Sequence, residues 1–362
     1  CATRWPSGSR AVGASTVAVG ETGLTDTAHV EVEFVHPVIV GKRALPALGV
    51  SPQAVALLAG ADDIVMSLGD DAGLVAATVA LADRGCLVTH MGADGGGEWS
   101  FTPPTDDPLI RQEVIETTYH VLWELVHVFF EHRGLLEGNT ASHAHDSGAS
   151  SFLYPFLADQ ETDLDAVLRD VEHTVVAKAR ETQDLRRATL AGHGDGLRAA
   201  AAAMRSSLDA GGHILVTGNG GSATDSADFV ADLRSPPPGR GWTPRPAIDL
   251  AATPAVITAI SNDVGVEPVF SRQVIAHGRP GDVLVVISTS GGSRNVLHAL
   301  DRARRDGLPT VAFLGYDGGK VVAEGLADHV IVTPSQNIPR IQEAQATAMH
   351  ILRGLIEAPP SP

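Results

Sequence analysis

From residue 212 onward, apolar positions follow two alternating patterns. Short continuous apolar runs occur at "HILVTG" (213–218), "DVLVVIS" (282–288), "PTVAFLG" (309–315) and "DHVIVTP" (328–334). A run that is apolar throughout predicts a strand buried on both faces. Between the runs, apolar residues recur at helical spacing. "SRNVLHALDRARRDG" (293–307) predicts an amphipathic helix stopped by Gly307, and "RIQEAQATAMHILRGLIE" (340–357) predicts the last helix. Two helical stretches precede them, near 161–190 and 195–210, the second strengthened by the helix formers of "AAAAAM" (199–204). Strands separated by helix-length segments predict an α/β fold, a doubly wound parallel sheet with helices on both faces.

The same order occurs upstream. "DDIVMSLGDDAGLVAATVALADRGCLVTHMGADGG" (62–96) parallels "GDVLVVISTSGGSRNVLHALDRARRDGLPTVAFLGYDGG" (281–319), down to the Asp-Gly-Gly triplets that begin at Asp94 and Asp317. "QEVIETTYH" (112–120) parallels "QEAQATAMH" (342–350), each with a His eight residues after its Gln. This recurrence predicts an internal duplication with a period too long for a solenoid. The expected domains are 15–132 and 156–358. The expected linker is 133–155, rich in Gly, Ser and His, where His143 and His145 read as solvated linker residues rather than ligands.

Charge and cysteine content narrow the function classes. A formal net charge of −17 argues against a nucleic-acid partner, yet it leaves room for an anionic small molecule, because loops and helix N-termini act locally. Two cysteines, Cys1 and Cys86, support neither a disulfide framework nor a Cys-based zinc site, and the simple expectation is a reducing cytoplasm. No apolar run reaches the roughly 18 residues that span a membrane, so no membrane partner is expected. The opening "CATRWPSGSR" lacks the order of a signal peptide and an initiator Met, which suggests a longer reading frame.

Two loops carry candidate chemistry. "ISTSGGS" (287–293) follows an apolar strand and opens a helix, offering the hydroxyls of Ser288, Thr289, Ser290 and Ser293 and two glycines for close backbone approach. The amides and positive dipole end of the next helix point at the same place, which suits a phosphate without Lys or Arg. "GNGGS" (218–222) is a second such loop, with Asn219 and Ser222 able to reach sugar hydroxyls. Both sit at carboxyl ends of strands, where open α/β sheets bind ligands. Two plain strand–helix turns are the bland alternative. Behind the first loop, Asp228 and Asp232 lie one helical turn apart and share a face. They are site residues or merely an exposed acidic surface.

Taken together, "GNGGSATDSADFVADL", "SNDVGVEPVFSR", "ISTSGGS", "DGGK" and "RIQEAQATAMH" resemble the sugar isomerase (SIS) domain, and within it the phosphoheptose isomerases, over residues 160–358. The resemblance implies SIS-type, flavodoxin-like sandwich domains, two in tandem here with the N-terminal one degenerate. It implies aldose–ketose isomerisation of a sugar phosphate, sedoheptulose 7-phosphate to a heptose 7-phosphate, through an enediol. It further implies phosphate binding by Ser288, Thr289, Ser290 and Ser293, and substrate contacts by Asn219, Ser222 and Asp263. Gln342 and His350 fall near the reacting carbons or an active-site zinc. No nucleotide cofactor is expected. Where the family places a His and a Glu one turn apart, this chain has Asp228 and Asp232. Asp232 keeps the charge on a shorter arm. Asp228, Asp232, Gln342 and His350 form a less zinc-like donor set than a His-rich one.

"TDTAHVEVEF" (25–34) lines up with "TDSADFVADL" (224–233), so His29 falls on Asp228 and Glu33 on Asp232. With Gln112 and His120, these residues form a candidate zinc set, and Glu33 and His120 become further acid–base candidates. The alternation in "HVEVEFVHPVIV" fits a strand as well as a helix, and His29 and Glu33 share a face in either case, but the duplication favours the helix. This half lacks the phosphate features. Its first loop reads "GETG" (20–23), and Asp70 and Asp71 occupy the places of Thr289 and Ser290. Two carboxylates at a helix N-terminus compete with a phosphate or cap the helix.

Two readings therefore compete: an isomerase of sugar phosphates, and a non-catalytic sugar-phosphate-binding or assembly protein of the same fold. The family's four-subunit assembly implies a homodimer with a pseudo-tetrameric core for a tandem chain. The reciprocal losses raise the expectation of a composite site.

Overall fold

The structure is a computed structural model, and it describes residues 16–20, 25–37, 44–92, 97–131 and 164–358. The expected linker, most of "GETG", Asp94 and Cys1 lie outside the described residues. The chain divides into two compact units, Cys1–Glu181 and Thr182–Pro362.

The first unit contains β1 (Thr16–Gly20), α1 (Thr25–Val35), β2 (Ala47–Val50), α2 (Pro52–Leu58), β3 (Ile64–Leu68), α3 (Ala72–Arg84), β4 (Leu87–Met91), β5 (Trp99–Phe101) and α4 (Pro108–Glu131). Its sheet is parallel, in the order β2-β1-β3-β4-β5. The two-residue pleat sends alternate side chains to opposite cores. Ala18, Ile64, Met66 and Leu68 pack with Phe34 and Trp123 on one face, while Val17, Val19, Val65 and Val88 pack with Leu74 and Leu81 on the other. The segment 25–35, open to either reading by its alternation, is helical. Its Val30 and Phe34 reach the core together with His29 and Glu33, so the helical i, i+4 spacing is the one that buries apolar area.

A long helix, α5 (Leu164–Asp209), starts in the first unit, where Val171 joins the core, and ends in the second. Its backbone leaves helical dihedrals at His193 (φ −124, ψ 15).

The second unit continues with β6 (Ile214–Thr217), α6 (Gly221–Arg234), β7 (Ala247–Asp249), α7 (Pro254–Asp263), α8 (Val269–His277), β8 (Val283–Ser288), α9 (Arg294–Arg305), β9 (Thr310–Gly315), α10 (Gly319–Ala323), β10 (His329–Thr333) and α11 (Ile338–Glu357). The sheet order β10-β9-β8-β6-β7 is again parallel throughout. Read from β7, it repeats the strand sequence of the first sheet. Val283, Val285 and Ile287 face α5, α6 and α11, and Leu284 and Val286 face α8 and α9. All six residues of β8 are buried, and each full-sized apolar side chain there contributes about 1.5–3 kcal/mol. Along the outer strand β10, the amide of Val332 donates to His193 Nε2 at 3.2 Å. Among the described residues, no helix is long and apolar enough to cross a membrane.

Candidate functional site

In the second unit, β6 and β8 are neighbours, and the loops after them meet at the carboxyl edge of the sheet. Asn219 and Asn295 hold the loops together through a reciprocal amide pair. Asn219 Nδ2 donates to Asn295 Oδ1 at 3.0 Å, and Asn295 Nδ2 donates to Asn219 Oδ1 at 2.8 Å. Ser288 Oγ accepts from the Gly291 amide at 3.2 Å, and Ser290 Oγ accepts from the Gly292 amide at 3.3 Å, which folds the loop into a concave turn. Gly291 has φ +56, and a Cβ there would lie 2.1 Å from the Gly318 carbonyl oxygen, so only glycine fits. At Gly218 a Cβ would come within 2.2 Å of the Ser222 carbonyl oxygen, which explains the tight start of the first loop.

The N-termini of α6 and α9 have no side-chain cap: Gly220 precedes one and Ser293 the other. The Ser222 and Ala223 amides bond to the Asn219 and Gly220 carbonyls and the Val296 amide to Asn295 Oδ1, so the Gly221, Arg294 and Asn295 amides are the ones that face an acceptor in the cleft. Thr289 and Ser293 are half-buried, Ser290 is exposed, and Ser222 and Ser288 are buried. Ser288, Thr289, Ser290, Ser293, Asn219 and Ser222 thus come together. Asp263 lies at the exposed end of α7 and accepts from its neighbour Asn262 at 2.9 Å.

Along α6, the side chains beyond the loop face α11. Gln342 Nε2 donates to Asp225 Oδ2 at 3.4 Å. His350 Nε2 lies 3.5 Å from Asp232 Oδ2, and Arg353 Nε fixes the Asp232 carbonyl at 3.0 Å. Burial pushes the Asp232 carboxyl above the ordinary aspartate range, against the opposing pull of His350, Arg353 and Arg240. Asp228 is half-buried, one turn before Asp232 on the same helix.

The first unit repeats this helix pairing between α1 and α4. Gln112 Nε2 donates to Asp26 Oδ1 at 3.4 Å, the counterpart of Gln342 and Asp225, and Tyr119 Oη reaches the same oxygen at 3.4 Å. His120 Nε2 is 3.2 Å from His29 Nε2, and His29 Nε2 is 4.0 Å from Glu33 Oε1. All three side chains are buried. Burial, and then His120, lower the His29 pKa well below its usual value. Burial raises Glu33 to about 7, with His120 opposing and Glu124 adding.

The two donor sets differ in how closely they gather. His29, Glu33 and His120 each present a ligand atom within 4.8 Å of the others. Glu33 Oε2 is buried without a hydrogen-bond partner, and His29 is held in the neutral, ligating form. Within the second unit, no three His, Cys, Asp or Glu side chains among the described residues meet this criterion. Asp228, Asp232 and His350 are therefore less closely gathered than His29, Glu33 and His120.

The phosphate position of the first unit is closed. Asp71 caps α3, its Oδ1 accepting from Gly73 N at 2.8 Å and Leu74 N at 3.2 Å. Asp70 is ion-paired with Arg111.

Sequence reasoning missed four residues that organise these sites: Asn295, Asp225, Asp26 and Arg111. The line-up of 25–34 with 224–233 held a signal for two of them, since Asp26 and Asp225 occupy the same place in it.

The sequence profile of the SIS domain matches residues 179–315. The chain is similar to the phosphoheptose isomerase of Rhodospirillum rubrum, 43% identical over 44% of this chain and 82% of that protein. It is also similar to that of a Geobacter species, 48% identical over 41% of this chain and 76% of that one. Among solved structures, it resembles the C-terminal domain of glucosamine-fructose-6-phosphate aminotransferase from Francisella tularensis. The TM-score is 0.58, with 96% of this chain and 85% of that chain covered and 8% identity, a likeness of fold alone.

Proposed function

Since the chain belongs to the SIS domain family through its C-terminal part, we propose that it is an aldose–ketose isomerase of sugar phosphates, interconverting sedoheptulose 7-phosphate and a heptose 7-phosphate through an enediol. The observation that carries this reading is the pair of helix N-termini, neither with an N-cap side-chain bond, joined by Asn219 and Asn295. That arrangement supplies amides and hydroxyls to a phosphate without a basic side chain. On this reading Ser288, Thr289, Ser290 and Ser293 grip the phosphate, while Asn219, Ser222 and Asp263 take sugar hydroxyls.

The proton moves between C1 and C2. Asp232, whose carboxyl is held above the ordinary range, takes and returns it, and His350, 3.5 Å away, serves the carbonyl and hydroxyl oxygens. Gln342 is a positioning residue held by Asp225. Glu33 and His120 are the corresponding pair in the first unit. There His29, Glu33 and His120, with Gln112 nearby, would hold zinc, and the bound ion would supply Lewis-acid polarisation of oxygens. The protein on this reading works as a cytoplasmic homodimer without a nucleotide cofactor.

One observation favours the non-catalytic alternative: aspartates stand where the resemblance implies His and Glu. The test is incubation with sedoheptulose 7-phosphate, with and without zinc, while product and melting temperature are followed together. Turnover that disappears in Asp232→Asn or Glu33→Gln supports the isomerase. A melting shift without turnover in either condition selects the binding protein.

A further inference from the structure

A cavity of about 280 Å³ opens in the first unit at the carboxyl ends of β1 and β3, lined by Gly20, Leu68 and Gly69 together with polar residues of α1 and α4. The helices that follow the adjacent strands β1 and β3 pack on opposite faces of the sheet, and ligands of open α/β sheets lie at such a point. Its polar wall is formed by Thr25, Asp26, Asp70, Arg111 and Gln112.

The chemistry of this wall eliminates ligand classes in turn. A phosphate needs free amides, but those opening α3 are taken by Asp71, and an anion would meet the carboxylates of Asp26 and Asp70. A cation would meet Arg111, already paired with Asp70. An apolar ligand would strip water from carboxylates and a guanidinium without replacing its hydrogen bonds. An uncharged hydroxyl avoids all three conflicts, because it donates to a carboxylate and accepts from a guanidinium or amide. Two lining residues also keep a buried polar atom without a hydrogen-bond partner, a donor at Arg111 Nε and an acceptor at Gln112 Oε1. The volume lies near the lower end of the few hundred Å³ typical of small-molecule pockets.

We propose that this cavity is a second ligand site, separate in chemistry from the sugar-phosphate loops, and that it takes an uncharged polyhydroxylated molecule, an unphosphorylated sugar or the polyol derived from it. Asp26 and Asp70 accept from vicinal hydroxyls, Arg111 Nε donates to a hydroxyl oxygen, and Gln112 Oε1 accepts from a further hydroxyl. Asp71 makes the site selective by occupying the amides that a phosphate would need.

Calorimetric titration of the full chain tests this, with free sedoheptulose, its reduced heptitol and inorganic phosphate as probes. One of the two uncharged probes is expected to bind at about one per chain with Kd near or below about 1 mM. The same affinity should persist in Ser290→Asp and in the presence of phosphate. Arg111→Met and Gln112→Met should each weaken it by about tenfold. Should Arg111→Met not fold, Gln112→Met decides. The proposal falls if neither uncharged probe binds, if phosphate competes, if Ser290→Asp removes the binding, or if both lining variants leave it intact. Turnover of sedoheptulose 7-phosphate, measured on the same samples, reports on the isomerase reading independently.

Discussion

After the third strand of the first unit comes a helix capped by its own aspartate; after the third strand of the second sheet, β8, comes a helix whose N-cap serine makes no capping bond. The strand order is the same, yet two amides at the anion-binding end of the helix are taken by an aspartate in one unit, while in the other only the Val296 amide is taken by a side chain, that of Asn295. The helix pairs behind the loops differ in the opposite sense. His29, Glu33 and His120 converge in the first unit, whereas in the second Asp232 and His350 pair and Asp228 stays half-buried. A shared backbone therefore fixes where chemistry is placed, and a handful of side chains decides which chemistry it is.

The sharpest way to break this comparison is to remove one acid–base carboxylate at a time. Asp232→Asn is expected to lower kcat by about 10²–10⁴-fold, the usual worth of a positioned general base. If Glu33→Gln gives that loss and Asp232→Asn does not, proton transfer belongs to the first unit. The pH profile adds a sign. A base works only when ionised, and burial raises the Asp232 pKa, so activity should fall with decreasing pH at a higher pH than an exposed aspartate would give.

Next in size is an exchange of loop chemistry. Writing the first unit's carboxylates into the second as Thr289→Asp and Ser290→Asp should weaken sugar-phosphate binding by about 100-fold in a titration, since like charges in contact cost several kcal/mol. An unchanged Kd would remove the phosphate from this loop.

Metal content gives a third contrast. His29→Ala should reduce zinc affinity by about 10–100-fold or more, because even residues behind a ligand are worth that much. His350→Ala should leave the zinc content of the purified protein unchanged. Equal losses in both variants would contradict the geometric difference between the two donor sets.

The smallest effect concerns the cap. Asp71→Ala is expected to cost about 1 kcal/mol in denaturant unfolding, whereas Ser293→Ala, which removes no capping hydrogen bond, should cost less.

Much of this was legible in the sequence. The four apolar runs of the second unit became β6, β8, β9 and β10, with no end trimmed by more than one residue. Buried parallel strands advertise themselves because both faces must be apolar. Asp71 as a cap was among the sequence alternatives, and the structure selects it. The short edge strands β5 and β7 and helices α7 and α8 went unread. Three-residue strands such as Ala247–Asp249 carry too few positions to show a period. The Asn219–Asn295 pair was invisible for another reason. The partners are 76 residues apart, and a polar pair formed by tertiary packing leaves no local pattern. For the segment 25–35, periodicity supported two answers, and packing of Val30 and Phe34 on the sheet decided between them.

One detail of the second unit bears on how the protein behaves in a crowded solution. The outer strand β10 presents backbone groups that a stray strand from another molecule would template upon, the usual starting point of aggregation. His193 stands where α5 breaks, and its ring takes the Val332 amide out of circulation. The imidazole thus works as a stopper on an otherwise adhesive rim.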